Sequence, residues 1–323
     1  MTVTASASPS LALIKYWGKL PEGVNLPASS SLAVTLEGLR TVTRVTAKSE
    51  ASGGSEDVVE VEGIHRSLEP YRALLDHFRE RAGRTDRVRV VSTNSFPTSA
   101  GIASSSSGFA ALALALNAFY GTGLPPSDLS AVARLGSGSA ARAVYGGFTV
   151  WTAGSDRAEP VLPPDHWPEL RIVVAVLDTA PKPISSRAGM TRSRDTSPVY
   201  STWLAESDRL FREGTRALEQ RDIEALGEAM RASYLLMFST MLTATPPFIY
   251  WLPASVAILR EAEAMRADGI PAWETMDAGP QVKIVTTDDH VDRVRGRLLA
   301  AVPDASIIVA RPGGEPEVVS SES

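Results

Sequence analysis

Pro97-Thr98-Ser99-Ala100-Gly101-Ile102-Ala103-Ser104-Ser105-Ser106-Ser107-Gly108 runs straight into FAALALALNAFYG, residues 109–121. A glycine and serine turn is followed by a segment apolar almost all round and closed by Gly121, which is the pattern of a buried helix entered through a polar turn. Such an entry offers backbone N–H groups, hydroxyl donors and the positive end of a helix dipole together, the combination that holds phosphate oxygens. An ordinary polar helix start explains the same residues, since small polar residues are common at N-caps. The run is no Walker A sequence, because no Gly-Lys-Ser/Thr follows, and it lacks the spacing of Gly-x-Gly-x-x-Gly. Ser104 or Ser105 is placed to reach a magnesium ion, as the hydroxyl of other phosphate loops does.

Outward from this helix the chain mixes strands and helices. Leu32 to Lys48, Asp57 to Gly63 and Arg87 to Thr93 read as strands, interrupted by a helix over Ser67 to Ala82. A short helix around Asp128 to Leu135 precedes Gly136-Ser137-Gly138-Ser139-Ala140-Ala141-Arg142, a second small-residue turn that is expected to open a helix with an arginine one turn in. Gly146 to Trp151 reads as a strand, and the strand Arg171 to Leu177 is expected to close the first lobe. After Pro183 come amphipathic helices over Pro198 to Glu219, Asp222 to Thr240 and Pro253 to Asp268. The strand pair Ala272 to Asp277 and Gln281 to Thr287 follows, then a helix from His290 to Ala301, a strand at Ser306 to Ala310 and a tail expected to fray. Elements in this order favour an α+β fold in two lobes over a doubly wound sheet. The division is expected at residues 1–182 and 183–323.

Composition narrows the chemistry. The chain has 323 residues, 44% hydrophobic and 21% charged, so it can bury a large core and is neither disordered nor low-complexity. A net charge of -5 argues against a nucleic-acid or membrane-surface partner and leaves any anionic ligand to a local site. With no cysteine, disulfides, thiolate catalysis and thiolate metal ligation fall away. The four histidines are scattered with no two at ligand spacing. No signal peptide is legible at the amino terminus and the apolar run Phe109 to Leu116 is short for a bilayer, so the expected location is cytoplasmic.

Of 32 basic residues only five are lysines, Lys15, Lys19, Lys48, Lys182 and Lys283, and two of them stand in Lys15-Tyr16-Trp17-Gly18-Lys19. An ammonium is a compact charge whose pKa shifts readily, useful against a phosphate or a proton in flight; two snorkelling lysines beside buried aromatics are the plainer alternative. Asp277, at a strand end in Met276-Asp277-Ala278-Gly279-Pro280, reads either as a turn residue or, functionally, as a general base or a hydroxyl-orienting carboxylate kept ionised by a nearby lysine.

Taken in order, the pieces carry a resemblance: SPSLALIKYWGK (8–19), SSSLAVTL (29–36), FPTSAGIASS (96–105), GSGSAAR (136–142) with YGGF (145–148), SSRAGM (185–190) with Thr196-Ser197-Pro198, and Asp277-Ala278-Gly279-Pro280. From about residue 5 to about residue 290 the chain resembles the diphosphomevalonate decarboxylases, a branch of the GHMP kinase superfamily. The resemblance implies a two-lobed GHMP kinase-like fold with mixed sheets and packed helices and an active site in the cleft. It implies ATP-dependent decarboxylation of mevalonate 5-phosphate or 5-diphosphate in isoprenoid biosynthesis, with ATP and Mg2+ as cofactors and a homodimer as the assembly. By the same resemblance Asp277, Lys15 and Arg142 are catalytic, and Arg142 with Ser139 grips the substrate carboxylate. Tyr16, Lys19, Ser186 and Arg187 then surround the 5-phosphate end, and Pro97, Thr98, Ser99, Ala100, Gly101, Ala103, Ser104 and Ser105 hold ATP, with Ser105 a candidate magnesium ligand.

The chain departs from the family at Ser10 and Gln281, where asparagines are usual, at Leu20, and at Ser233-Tyr234-Leu235-Leu236-Met237-Phe238-Ser239, where a polar stretch has become apolar. Fewer polar partners for a second phosphate favour the monophosphate. Two other readings are a mevalonate 3-kinase that does not decarboxylate and a catalytically silent ATP-binding protein of the same fold.

Overall fold

In Thr41–Ala47 and Val88–Asn94 alternate side chains are buried and the rest lean to solvent, the period-two pattern of a sheet with one wet face. The structure, a computed structural model, describes residues 1–48, 56–96, 104–180 and 182–322. Its strands in chain order are β1 (Thr2–Ala7), β2 (Ser10–Ile14), β3 (Ser31–Thr35), β4 (Thr41–Ala47), β5 (Val58–Val61), β6 (Ile64–His65), β7 (Val88–Asn94), β8 (Phe148–Trp151), β9 (Glu159–Leu162), β10 (Leu170–Val176), β11 (Trp273–Met276), β12 (Val282–Thr287), β13 (Ser306–Ala310) and β14 (Glu317–Glu322). The helices are α1 (Glu69–Ala82), α2 (Ser104–Tyr120), α3 (Pro126–Gly136), α4 (Ser186–Thr196), α5 (Tyr200–Gln220), α6 (Ile223–Leu242), α7 (Pro253–Ala267) and α8 (Val291–Ala301). None among the described residues is long and apolar enough to cross a membrane.

Among the described residues the strands form three sheets, ordered β14-β1-β4-β7-β5-β6, β2-β3-β8-β9 and β11-β12-β10-β13. The dry face of the first sheet supplies Val3, Ala5, Val45 and Val90 to a core shared with Phe109, Leu112, Leu116 and Phe119 of α2. Because α1 and α3 also pack on α2, that helix is covered nearly all round, which is why its sequence shows no polar stripe. A second core sets Leu11, Leu32 and Val34 against Ile172, Val174 and Val285, with Leu210, Leu218, Leu226 and Met230 of the α5–α6 pair. The turn of that pair is short because Arg221 takes a left-handed φ of 56° and Asp222 accepts a hydrogen bond from Ala225 N–H at 3.0 Å.

The mixed α+β, two-lobed architecture agrees with the sequence reading, and four local expectations need correction. Leu32 to Lys48 is two strands in different sheets, broken at Gly38, whose φ is +86°. The strand expected to close the first lobe is β10, hydrogen-bonded on both edges, to β12 and β13, inside the third sheet. Its Val173 and Ala175 enter one core and Ile172 and Val174 the other, so it is apolar on both faces and belongs in a sheet interior. The tail does not fray: β14 pairs with β1 from Thr2↔Glu322 to Ser6↔Glu317. The chain gets there by threading Gly313 past Glu37 and Gly146 past Gly314, where an added Cβ would lie 2.8 and 2.6 Å from backbone atoms. Finally, Gly138–Ala141 is a single 3-10 turn and opens no α-helix, while α4, which the sequence reading missed, starts at Ser186 with Ser185 as N-cap.

Candidate active site

A cavity of about 400 Å3 opens where the end of β2, the N-terminus of α2, the Gly138–Ala141 turn, the start of α4 and the loop after β11 converge. Lys15, Tyr16, Lys19, Ser104, Ser105, Ser139, Arg142, Ser186, Arg187 and Asp277 all line it, so every expected site residue that lies within the described part of the chain is brought to one place. Pro97, Thr98, Ser99, Ala100, Gly101 and Ala103 lie outside the described residues.

At the centre Lys15 Nζ lies 2.8 Å from Asp277 Oδ1 and also donates to the Ala12 carbonyl at 2.8 Å. Lys283 Nζ approaches the other oxygen, Oδ2, at 3.1 Å. Both lysines are almost wholly buried, whereas Asp277 keeps 25% of its side chain exposed toward the cavity. Burial by itself would raise the Asp277 carboxyl, but the Lys15 and Lys283 ammoniums and their hydrogen bonds outweigh it and hold it well below the usual carboxylate range. For Lys15 burial wins over Asp277 and brings the ammonium down to about 8. The carboxylate is therefore ionised at any working pH, and beside it sits an ammonium with a pKa lowered to about 8. Lys15 is held by its own backbone, whose N–H donates to Ser233 Oγ of α6 at 2.9 Å.

Arg142, 2% exposed, follows the 3-10 turn and donates to Ser31 Oγ at 2.6 Å, while its Nε has no hydrogen-bond partner. Its guanidinium is 6.0 Å from the centre of the Tyr16 ring, and burial lowers its pKa to about 10 against the opposing pull of Asp277. Tyr16 Oη and Ser10 Oγ are likewise buried, unpartnered and on the cavity wall. Trp17 Nε1, on another lining residue, is also buried without a partner; such atoms are uncommon, and four on residues lining one cavity mark a place where a polar ligand completes the hydrogen bonding.

On the α4 side Lys19 is lowered to about 8, first by burial and then by Arg187. Lys182 donates to Ser186 Oγ at 2.8 Å and to the Ala278 carbonyl at 3.0 Å. At the other wall Ser104 and Ser105 form the first turn of α2, where backbone N–H groups have no intrahelical acceptor. Ser137 Oγ donates to Ser105 Oγ at 3.4 Å, tying the two small-residue turns together. The donor set suits a phosphate chain. No cluster of three metal-ligating side chains exists among the described residues, so a magnesium ion fits here only through a hydroxyl such as Ser105 together with phosphate oxygens and water.

Lys182 and Lys283 escaped the sequence reading as site residues. The signal was available: four of the chain's five lysines gather in or behind this cavity, and Lys283 stands alone in the apolar strand Val282–Thr287. Among the residues where the chain departs from its resemblance, Gln281 accepts from Leu177 N–H and donates to the Asp178 carbonyl, fastening the end of β10 to the Asp277 loop. Of Tyr234 to Phe238 only Met237 reaches the cavity. Tyr234 turns away and donates to the buried Glu274 at 3.3 Å. The apolar wall expected to disfavour a second phosphate is thus a single side chain, and Lys19, Lys182 and Arg187 face the same space.

Comparison with known proteins accords with this geometry. A solved structure of "MDDEF in complex with MVAPP, AMPPCP and Magnesium" superposes with a TM-score of 0.92 at 36% identity, covering 99% of each chain. The mevalonate diphosphate decarboxylase from Staphylococcus aureus gives 0.91 at 35% identity, covering 99% of this chain and 98% of its own. The human diphosphomevalonate decarboxylase is 36% identical over 90% of this chain and 78% of its own length. Residues 7–161 match the diphosphomevalonate decarboxylase-like N-terminal domain and residues 172–318 the mevalonate 5-diphosphate decarboxylase C-terminal domain, so from one lobe to the other the chain belongs to the diphosphomevalonate decarboxylase family.

Proposed function

We propose that this chain carries out ATP-dependent decarboxylation of mevalonate 5-diphosphate or 5-phosphate, releasing ADP, phosphate, CO2 and the matching isopentenyl ester. The observation that carries the reading is the Lys15–Asp277–Lys283 cluster facing buried Arg142 across one cavity, with the first turn of α2 on its wall. It is supported by a relative solved in complex with MVAPP, AMPPCP and magnesium.

A tertiary C3 hydroxyl leaves poorly, so the γ-phosphoryl is first moved onto it: a C3 O–P bond forms, the β–γ bridge bond breaks, and ADP departs. Asp277, held as an anion, accepts the hydroxyl's hydrogen bond, aims its oxygen and takes its proton as the O–P bond forms; because the two ammoniums that keep it ionised also make it a weak base, that proton moves late, once the oxygen is bonded to phosphorus. Lys15 counters charge that develops on the transferring group. This transfer needs positioning and electrostatics above all; Ser105, with the triphosphate oxygens, would hold a magnesium ion, which would supply charge neutralisation when bound. The C3–O bond then breaks with its electrons going to phosphate, and the C1–C2 electrons become the C2=C3 double bond as CO2 leaves. Arg142, with Ser139, grips the C1 carboxylate and holds it in line. Tyr16, Lys19, Ser186 and Arg187 meet the 5-phosphoryl end. In this reading residues 1–182 hold the nucleotide, with residues 97–103 joining Ser104 and Ser105, and residues 183–323 share the substrate site. The protein acts as a cytoplasmic homodimer.

Steady-state turnover with both esters is the test. ADP and CO2 in equal amounts with either ester sustains the reading; ADP without CO2 makes the chain a 3-kinase, and neither product makes it a silent ATP-binding protein. A specificity constant about tenfold higher for one ester, about 1.4 kcal/mol of transition-state preference, assigns the phosphate count.

A further inference from the structure

We propose that Asn25 is a positioning residue for Lys19, fixing its ammonium at the cavity wall without neutralising it and so setting how tightly the 5-phosphoryl end of the substrate is held. The inference rests on the functional reading above and deepens it.

Asn25 is 8% exposed and has a left-handed φ of 56°, a conformation that asparagine tolerates better than most residues. Its Nδ2 donates to the carbonyls of Arg134 at 2.9 Å and Leu135 at 3.0 Å. Those carbonyls belong to the last turn of α3, which lacks intrahelical donors. With both N–H groups committed, the amide cannot flip without setting its oxygen against two carbonyls. Oδ1 is thereby aimed at Lys19 Nζ, which donates to it at 2.5 Å. The loop that carries both residues is pinned as well: Leu20 N–H donates to the Leu26 carbonyl at 3.0 Å, Ala28 N–H to the Gly18 carbonyl at 3.1 Å, and the Arg134 guanidinium to the Val24 carbonyl.

The choice of partner matters. Lys15 is matched by a carboxylate, Asp277, which shares its charge. The neutral amide of Asn25 orients Lys19 but leaves its full charge, and two of its three N–H donors, for an anion. Since α3 leads directly into Ser137 and Ser139 on the same wall, Asn25 ties that ammonium to the frame that also carries Arg142.

A double-mutant cycle tests this. Asn25→Gly accepts the positive φ and removes the amide; it is made alone and with Lys19→Met. Affinity for mevalonate 5-phosphate and 5-diphosphate is measured by calorimetry, alongside the KM for ATP and the melting temperature. The expected result is a loss of about tenfold in ester affinity with an unchanged KM for ATP, and no further loss from Asn25→Gly once Lys19 is Met. Should Asn25→Gly not fold, Asn25→Ser keeps a local hydroxyl but cannot reach both partners, and it carries the same comparison. Wild-type ester affinity in the variant, or an equal loss with and without the Lys19 ammonium, would overturn the inference and leave Asn25 as a cap for α3. A wild-type protein that binds neither ester would instead sink the functional reading, and this inference with it.

Discussion

Replacing Asp277 by Asn keeps the side chain's shape and removes its charge from between two buried ammoniums. At 2.8 Å and an effective dielectric of about 20, the attraction lost to Lys15 is about 6 kcal/mol before desolvation is counted. Removing one partner of a buried pair typically costs about 3–5 kcal/mol net, and because the Asn oxygen can still accept from one ammonium the lower end applies. That is roughly a 4–5 °C fall in melting temperature for a chain of this size. Turnover should fall by about 10²- to 10⁴-fold, with ATP binding near normal. The pH dependence follows from Lys15. Its folded pKa of about 8 lies below the ordinary 10.5, so between those values the unfolded state binds more protons and stability rises with pH. Without the Asp277 charge that pKa drops further and the window opens at lower pH, so the gap between variant and wild type should narrow as pH rises from about 7 to about 9. Adding Lys15→Met to Asp277→Asn should recover much of the lost stability and none of the activity, since it removes the stranded charge but not the chemical defect. Scanning calorimetry across pH, with ADP and CO2 release measured in parallel, reads all of this. Wild-type turnover in Asp277→Asn, or a double variant less stable than the single one, would refute the reasoning.

Arg142→Lys loses the bond to Ser31 and the two-pronged reach toward a carboxylate, so ester affinity and turnover should each fall about tenfold or more; a drop in melting temperature alone would make Arg142 structural. Ser105→Val crowds the first turn of α2 at an exposed position, and should raise the KM for ATP several-fold while leaving ester affinity in place, as initial-rate kinetics would show. Lys15 and Lys19, both lowered to about 8 by burial, must be ammoniums to act, so kcat/KM should decline as pH rises through about 8, more steeply than one proton allows; a profile flat to about pH 10 would contradict this.

The lysine count, the serine turn before an all-apolar helix and the Asp-Ala-Gly-Pro strand end were legible because each is a local departure from what its surroundings require. Local pattern also placed the long helices, since α5 must turn one apolar stripe toward a core and its sequence shows that stripe. The tail was illegible for the opposite reason. All six side chains of β14 are exposed, so its place beside β1 is held by backbone hydrogen bonds, which leave no trace in residue type.

Residue types and their order along the chain sufficed to name the lysines, the arginine and the aspartate, and the chemistry they bring. Distance in space decided the rest. Lys283 and Asp277 are six positions apart, and only the pairing of β11 with β12 turns the lysine's side chain onto the second carboxylate oxygen. Asn25 and the end of α3 are 109 positions apart, and only packing makes one the anchor of the other. Burial, too, belongs to the fold: the same ammonium at the surface would keep its ordinary pKa, and it is the low-dielectric enclosure between the two cores that brings Lys15 to about 8.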